Sequence, residues 1–158
     1  MHPDAHSNSP LSDRIDLIFG QASDPMPLIE QRAQELLPEH KVIVWEADAA
    51  TFQSRFISRS AEELLGHPVE RWTNDPNFWP NKVIHTDDID TALSQCAVAV
   101  ARRAACDFTL RALTADGRIV RLRDIIRVVV GPHNIATKLR GIMIAMPDPD
   151  GTPHELTA

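Results

Sequence analysis

The tightest polar cluster in this 158-residue chain is His85-Thr86-Asp87-Asp88. A histidine and two carboxylates within four positions could hold a metal ion or supply an acid and a base. Their adjacency works against both uses, because neighbours at a helix start cannot all point at one ion, and no second histidine stands three or four residues from His85. The same residues suit a helix N-terminus, where His85 caps and Asp87 and Asp88 meet the positive end of the dipole. Asp124 is the second candidate. It shares strand parity with Val120, Leu122, Ile126 and Val128. It therefore either faces the core, where a carboxylate needs a partner or a ligand, or is turned outward by a bulge or paired with arginine. His67 and His133 fall in turn segments and read as solvated. No dinucleotide fingerprint, P-loop, nucleophile elbow or zincin motif occurs.

The elements that must position these groups follow from periodicity. Leu11, Ile15, Ile18 and Phe19, then Ile29, Ala33, Leu36 and Leu37, form two short amphipathic helices closed by Gly20 and Pro38. Their apolar faces must be buried on the rest of the chain or on another subunit. Residues 41–48 and 52–58 are β-favouring and read as the first two strands. Ser60 and Glu63 have capping-box spacing for a helix from Ala61, Gly66 ends it, and Pro68 opposes its resumption. Ile89, Ala92, Leu93, Cys96 and Val100 make the stripe of a longer helix. Three strands follow at 107–113, 118–130 and 136–146, with Ala115-Asp116-Gly117 as a hairpin turn. The order β-β-α…α-β-β-β gives an α+β fold: an antiparallel sheet with helices on one face. The domain organisation expected is an N-terminal helical extension over 1–38, the sheet domain over 39–147 and a flexible tail over 148–158. The first ten residues are expected to be poorly ordered.

A net charge of −6 and a pI near 5.6 disfavour nucleic-acid and anionic-membrane surfaces, which bind through a basic field. No apolar run approaches the ~20 residues of a membrane span, and two cysteines without framework spacing suit a reducing cytoplasmic setting. The concentrated basic feature is the strand stripe Arg111, Arg121, Arg123 and Arg127. It is either a solvated face or a docking surface for an acidic partner or for the N-terminal helices, which carry Asp13, Asp16, Glu30 and Glu35.

The run Ser60-Ala61-Glu62-Glu63-Leu64-Leu65-Gly66-His67, followed at a similar gap by His85-Thr86-Asp87-Asp88, resembles PAS domains of the PAS-3 type subgroup, and Ala115-Asp116-Gly117-Arg118 resembles their hairpin. The resemblance implies a five-stranded antiparallel sheet with a helical connector packed over one face, across roughly residues 40–146. It also implies a pocket between the long helix and the sheet, which Trp45, Leu93, Cys96, Phe108 and Leu122 are expected to line, with Ala92, Ala97 and Ala99 leaving room. Haem is disfavoured, since residues 87–103 carry no histidine, and flavin is disfavoured by the absence of the N-C-R-F-L-Q run. The last strand departs from the family pattern, because Ala145-Met146-Pro147 replaces the usual lead into a signalling helix.

The expectation is a non-catalytic sensory module that binds a small ligand or a protein partner. It is expected to form a homodimer through the N-terminal helices and sheet face, so that deleting residues 1–38 gives a soluble monomer. The alternative is a small α+β enzyme using Asp124 or His85 as a pocket acid or base.

Overall fold

A computed structural model describes residues 10–147; the expected disorder of the N-terminal residues before Pro10 and the flexible tail over 148–158 lie outside them. Helices α1 (Leu11–Phe19) and α2 (Met26–Leu36) precede strands β1 (Val42–Asp48) and β2 (Ser54–Ile57). Short helices α3 (Ser60–Leu65) and α4 (Val69–Asn74), a wide π-type turn at Trp79–Val83 and a 3-10 turn at Thr86–Asp88 lead into α5 (Ile89–Arg102). Strands β3 (Cys106–Leu113), β4 (Ile119–Val130) and β5 (Ala136–Ala145) complete the chain. The sheet order is β2-β1-β5-β4-β3, antiparallel throughout.

Period-2 alternation gives this sheet two apolar faces. Ile43, Ile57, Leu110, Ala112, Val120, Leu122 and Met143 pack against α3, α4, the π turn and Ala92 of α5. Val44, Ile125, Ile142 and Ile144 face the other way, against Ile15, Ile18, Phe19, Met26, Ile29, Ala33 and Leu37 of the N-terminal segment. The extension is thus a third layer covering the sheet's back. Its apolar stripe is spent within the chain, so a homodimer built on α1 and α2 has only their outer surfaces to use. Under this cover Glu46 and Arg140, cross-strand neighbours only 8% and 6% exposed, form an ion pair at 2.8 Å.

Three local readings change. Ser60 forms no capping box: its hydroxyl donates to Val42 O at 2.6 Å, while Ser58 Oγ accepts Val44 N–H at 2.9 Å. β2 is only four residues long, and these serines pair backbone groups of β1 that lie beyond its reach. Pro68 does not keep helix from resuming; it stands at the N-cap of α4, a start position that needs no N–H from it. The second strand begins at Ser54 instead of Phe52, because Asp48 Oδ1 accepts the N–H groups of Ala50 and Thr51 and the turn runs on to Phe52 at φ 61°. Gly66 does close α3, at φ 82°.

The arginine stripe is largely consumed by ion pairs. Arg111 makes a bidentate pair with Asp88, Arg123 one with Asp107, and Arg127 pairs with Asp16 while lying 4.6 Å over the Phe19 ring. Asp16 is therefore an extension carboxylate that meets the stripe, whereas Glu30 accepts Arg59 N–H. Among the described residues no helix is long and apolar enough to cross a membrane.

Candidate functional site between α5 and the sheet

His85 ends in a structural position. Its Nδ1 accepts Asp87 N–H at 3.1 Å, capping the 3-10 turn, and its own N–H donates to Arg111 O. Asp88 turns away from it to take the Arg111 backbone N–H and guanidinium, which hold its carboxyl below the usual range. The cluster joins the start of α5 to β3. It gathers no metal set, and among the described residues no group of three such ligands occurs.

Asp124 faces the core. Only 2% exposed, it has no arginine partner; Trp45 Nε1 donates to its Oδ1 at 3.1 Å. The unbroken register, which keeps Asp124 opposite Phe108 on one side and Met143 on the other, excludes the outward bulge. Burial pushes its pKa up to about 7, the Trp45 hydrogen bond opposes this, and the Asp107 charge adds to it.

Trp45 reaches Asp124 by crossing a strand. It stands opposite Gly141 of β5, and Gly141 in turn lies beside Ile126 of β4. A Cβ at Gly141 would sit 2.2 Å from the Trp45 ring. The missing side chain therefore opens the channel along which the indole lies. Gly141→Ala is expected to displace Trp45, break its bond to Asp124 and cost about 1–3 kcal/mol. Urea denaturation checks the cost; unchanged stability would show that the indole has another place to go.

Trp45, Phe52, Ser54, Trp72, Trp79, Ala92, Leu93, Cys96, Phe108, Leu110, Asp124 and Met143 surround a small cavity between α5 and the sheet, of about 30 Å³. That is two to three times the ~10–15 Å³ that one water needs. Four of the five residues expected here, Trp45, Leu93, Cys96 and Phe108, line it. Leu122 does not. It is fully buried opposite Leu110 and Ala145, two residues before the strand position that lines the cavity, which Asp124 occupies. Of the alanines, Ala92 lines the space while Ala97 is exposed and Ala99 is buried elsewhere.

Trp72 and Trp79 come from the irregular connection and stack at 5.2 Å. The sequence pattern does not single them out for this site. Together with Trp45 they are the three tryptophans of the chain, so every indole borders one cavity. Trp72 Nε1 is buried there without a hydrogen-bond partner. On α5, burial and the nearby Asp124 carboxylate push the Cys96 thiol up to about 12, so it stays neutral. Cys106 on β3 is raised likewise, to about 11. The arrangement offers an aromatic enclosure with one buried titratable acid and no activated nucleophile; His85 and Asp124 serve separate places in the fold.

Comparison with known proteins agrees with this geometry. No curated protein matches the chain. Among solved structures, the N-terminal domain of a diguanylate cyclase with PAS/PAC sensor from Marinobacter aquaeolei superposes with a TM-score of 0.60 at 27% identity, covering 66% of this chain and 94% of that one. A PAS domain from Colwellia psychrerythraea gives 0.59 at 18% identity over 75% and 97% of the two chains. A domain of a putative light and redox sensing histidine kinase from Haloarcula marismortui gives 0.57 at 18% over 73% and 98%. At 18% identity the last two speak for the fold alone. The family profile described as PAS fold matches residues 54–143, more than half of the chain. A five-stranded antiparallel sheet, a long helix over its face and that match together place the chain in the PAS fold family.

Proposed function

We propose that this chain is a non-catalytic sensory module whose residues 39–147 take a small ligand between α5 and the sheet, with α1 and α2 as a fixed cover on the opposite face. The observation that carries the reading is the cavity bounded by all three tryptophans and by the buried carboxylate of Asp124. A core that only needed filling would place no acid there, since an unpaired buried carboxylate is costly. The likeness to the sensor domain of a diguanylate cyclase supports a signalling role. Catalysis is disfavoured because the His85 imidazole is spent on a backbone N–H and the Cys96 thiol is held neutral. Two unpaired thiols suit a reducing compartment such as the cytoplasm.

Native mass spectrometry of the protein purified without denaturation tests the reading, with retained mass that Asp124→Leu removes as the supporting result. Protein that neither retains mass nor changes its tryptophan fluorescence with any member of a small-molecule fragment panel would contradict it. A homodimer, if formed, uses what the intramolecular packing leaves open: the outer surface of α1, where Leu17 is 45% exposed, and the rim of β4 near Ile119, also 45% exposed. Light scattering that gives the mass of one chain would rule this out.

A further inference from the structure

The walls of the cavity differ in charge from an ordinary apolar pocket. Five aromatic rings, those of Trp45, Phe52, Trp72, Trp79 and Phe108, face it together with Asp124, and no arginine, lysine or histidine lines it. The groups around Asp124 are Trp45 from β1, whose N–H is its hydrogen-bond partner, neutral Cys96 from α5, Cys106 and Asp107 from β3, and Met143 from β5. None is a cation; Asp107 adds some negative potential, partly offset by its bidentate partner Arg123 on the other face of β4. A ring that turns its face to a bound cation adds the negative lobe of its quadrupole to the field of a carboxylate.

Resting on the ligand-cavity reading above, we propose that the cavity selects a small primary amine, bound as its ammonium cation against Asp124 among the aromatic rings. An ammonium supplies what the protein withholds, a counter-charge for the carboxylate, and its three donors can meet Oδ1, Oδ2 and a ring face. A neutral ligand would leave the acid without a counter-charge. The size of the cavity limits the occupant to an ammonium group with one or two carbons unless the partly exposed Phe52 or Trp79 moves aside.

Ethylammonium and its neutral counterpart ethanol test this on the full chain by thermal shift. The expected dissociation constant for three heavy atoms is on the order of millimolar at best. Ethylammonium should raise Tm where ethanol at equal concentration does not. Because binding needs the ionised acid, the amine's apparent affinity should rise about tenfold between pH 6 and pH 8, and Asp124→Asn, shown folded by circular dichroism, should lose it at least tenfold. Equal or greater stabilisation by ethanol would overturn the amine and leave a neutral-ligand cavity standing. An amine effect unchanged in Asp124→Asn would overturn the site. No effect of either compound overturns the amine as well, and it removes the cavity reading only if the wider fragment panel also leaves the tryptophans silent.

Discussion

Removal of residues 1–38 is expected to yield aggregated or insoluble protein, in place of the soluble monomer that the sequence pattern suggests. The deletion uncovers Val44, Ile125, Ile142 and Ile144 on the sheet's back, all between 0% and 8% exposed in the intact chain. Full burial of each such side chain is worth about 1.5–3 kcal/mol. Four of them approach the 5–15 kcal/mol that holds a domain folded. The loss also takes Arg127's partner Asp16 and lays open the Glu46–Arg140 pair. A flat apolar sheet face with no cover invites association with other copies. Size-exclusion chromatography of the truncated chain decides the matter: a well-behaved monomer with intact circular dichroism would show that the extension is separable.

Asp124→Asn is expected to reverse the usual effect of losing a buried group and to raise stability at pH 8. The sign follows from the proton balance. Unfolded aspartate titrates near 3.9, whereas folded Asp124 titrates at about 7. Between those values the folded state holds a proton that the unfolded state has released. The contribution of this group is therefore complete below about pH 4 and declines as pH rises through 7. The decline amounts to ~4 kcal/mol. Asparagine keeps the oxygen that accepts from Trp45 and cannot ionise, so its profile should be flat over the same window. Asp48 shifts the other way, down to about 2 through Arg55 and the Thr51 and Ala50 N–H groups, and its contribution is lost only at more acid pH. Urea denaturation from pH 4 to pH 8 separates the two. If wild type and Asp124→Asn lose stability in parallel above pH 5, Asp124 is not the group responsible.

Strand parity made the layers of this molecule legible and left their assembly hidden. The alternation in β4 already put Asp124 with Val120, Leu122 and Ile126. Whether it stayed inside depended on a pairing with β5 that brings together residues far apart in the chain, Trp45, Gly141 and Asp124. Gly141 looks featureless in a strand of Ile and Met, because its function is the space it leaves for an indole from another strand. The two N-terminal helices announced an apolar face in search of a surface, and Ile125, Ile142 and Ile144 were the matching side of the sheet. Ser60 misled for a physical reason: a hydroxyl near a helix start satisfies local or distant backbone groups equally well, and here β1 held the unpaired one, Val42 O. Trp72 and Trp79 lie in a connection without periodicity, where pattern carries no information about direction.

The proposed ligand cavity between α5 and the sheet has three built-in reporters, since Trp45, Trp72 and Trp79 are the only tryptophans and all border it. In a nitrogen-15 correlation spectrum their indole N–H groups give three signals away from the backbone region. Titrating small-molecule fragments, ethylammonium among them, should shift at least the Trp45 signal, whose N–H is bonded to Asp124, in a saturable way. Three indole signals unmoved by every fragment would contradict the account.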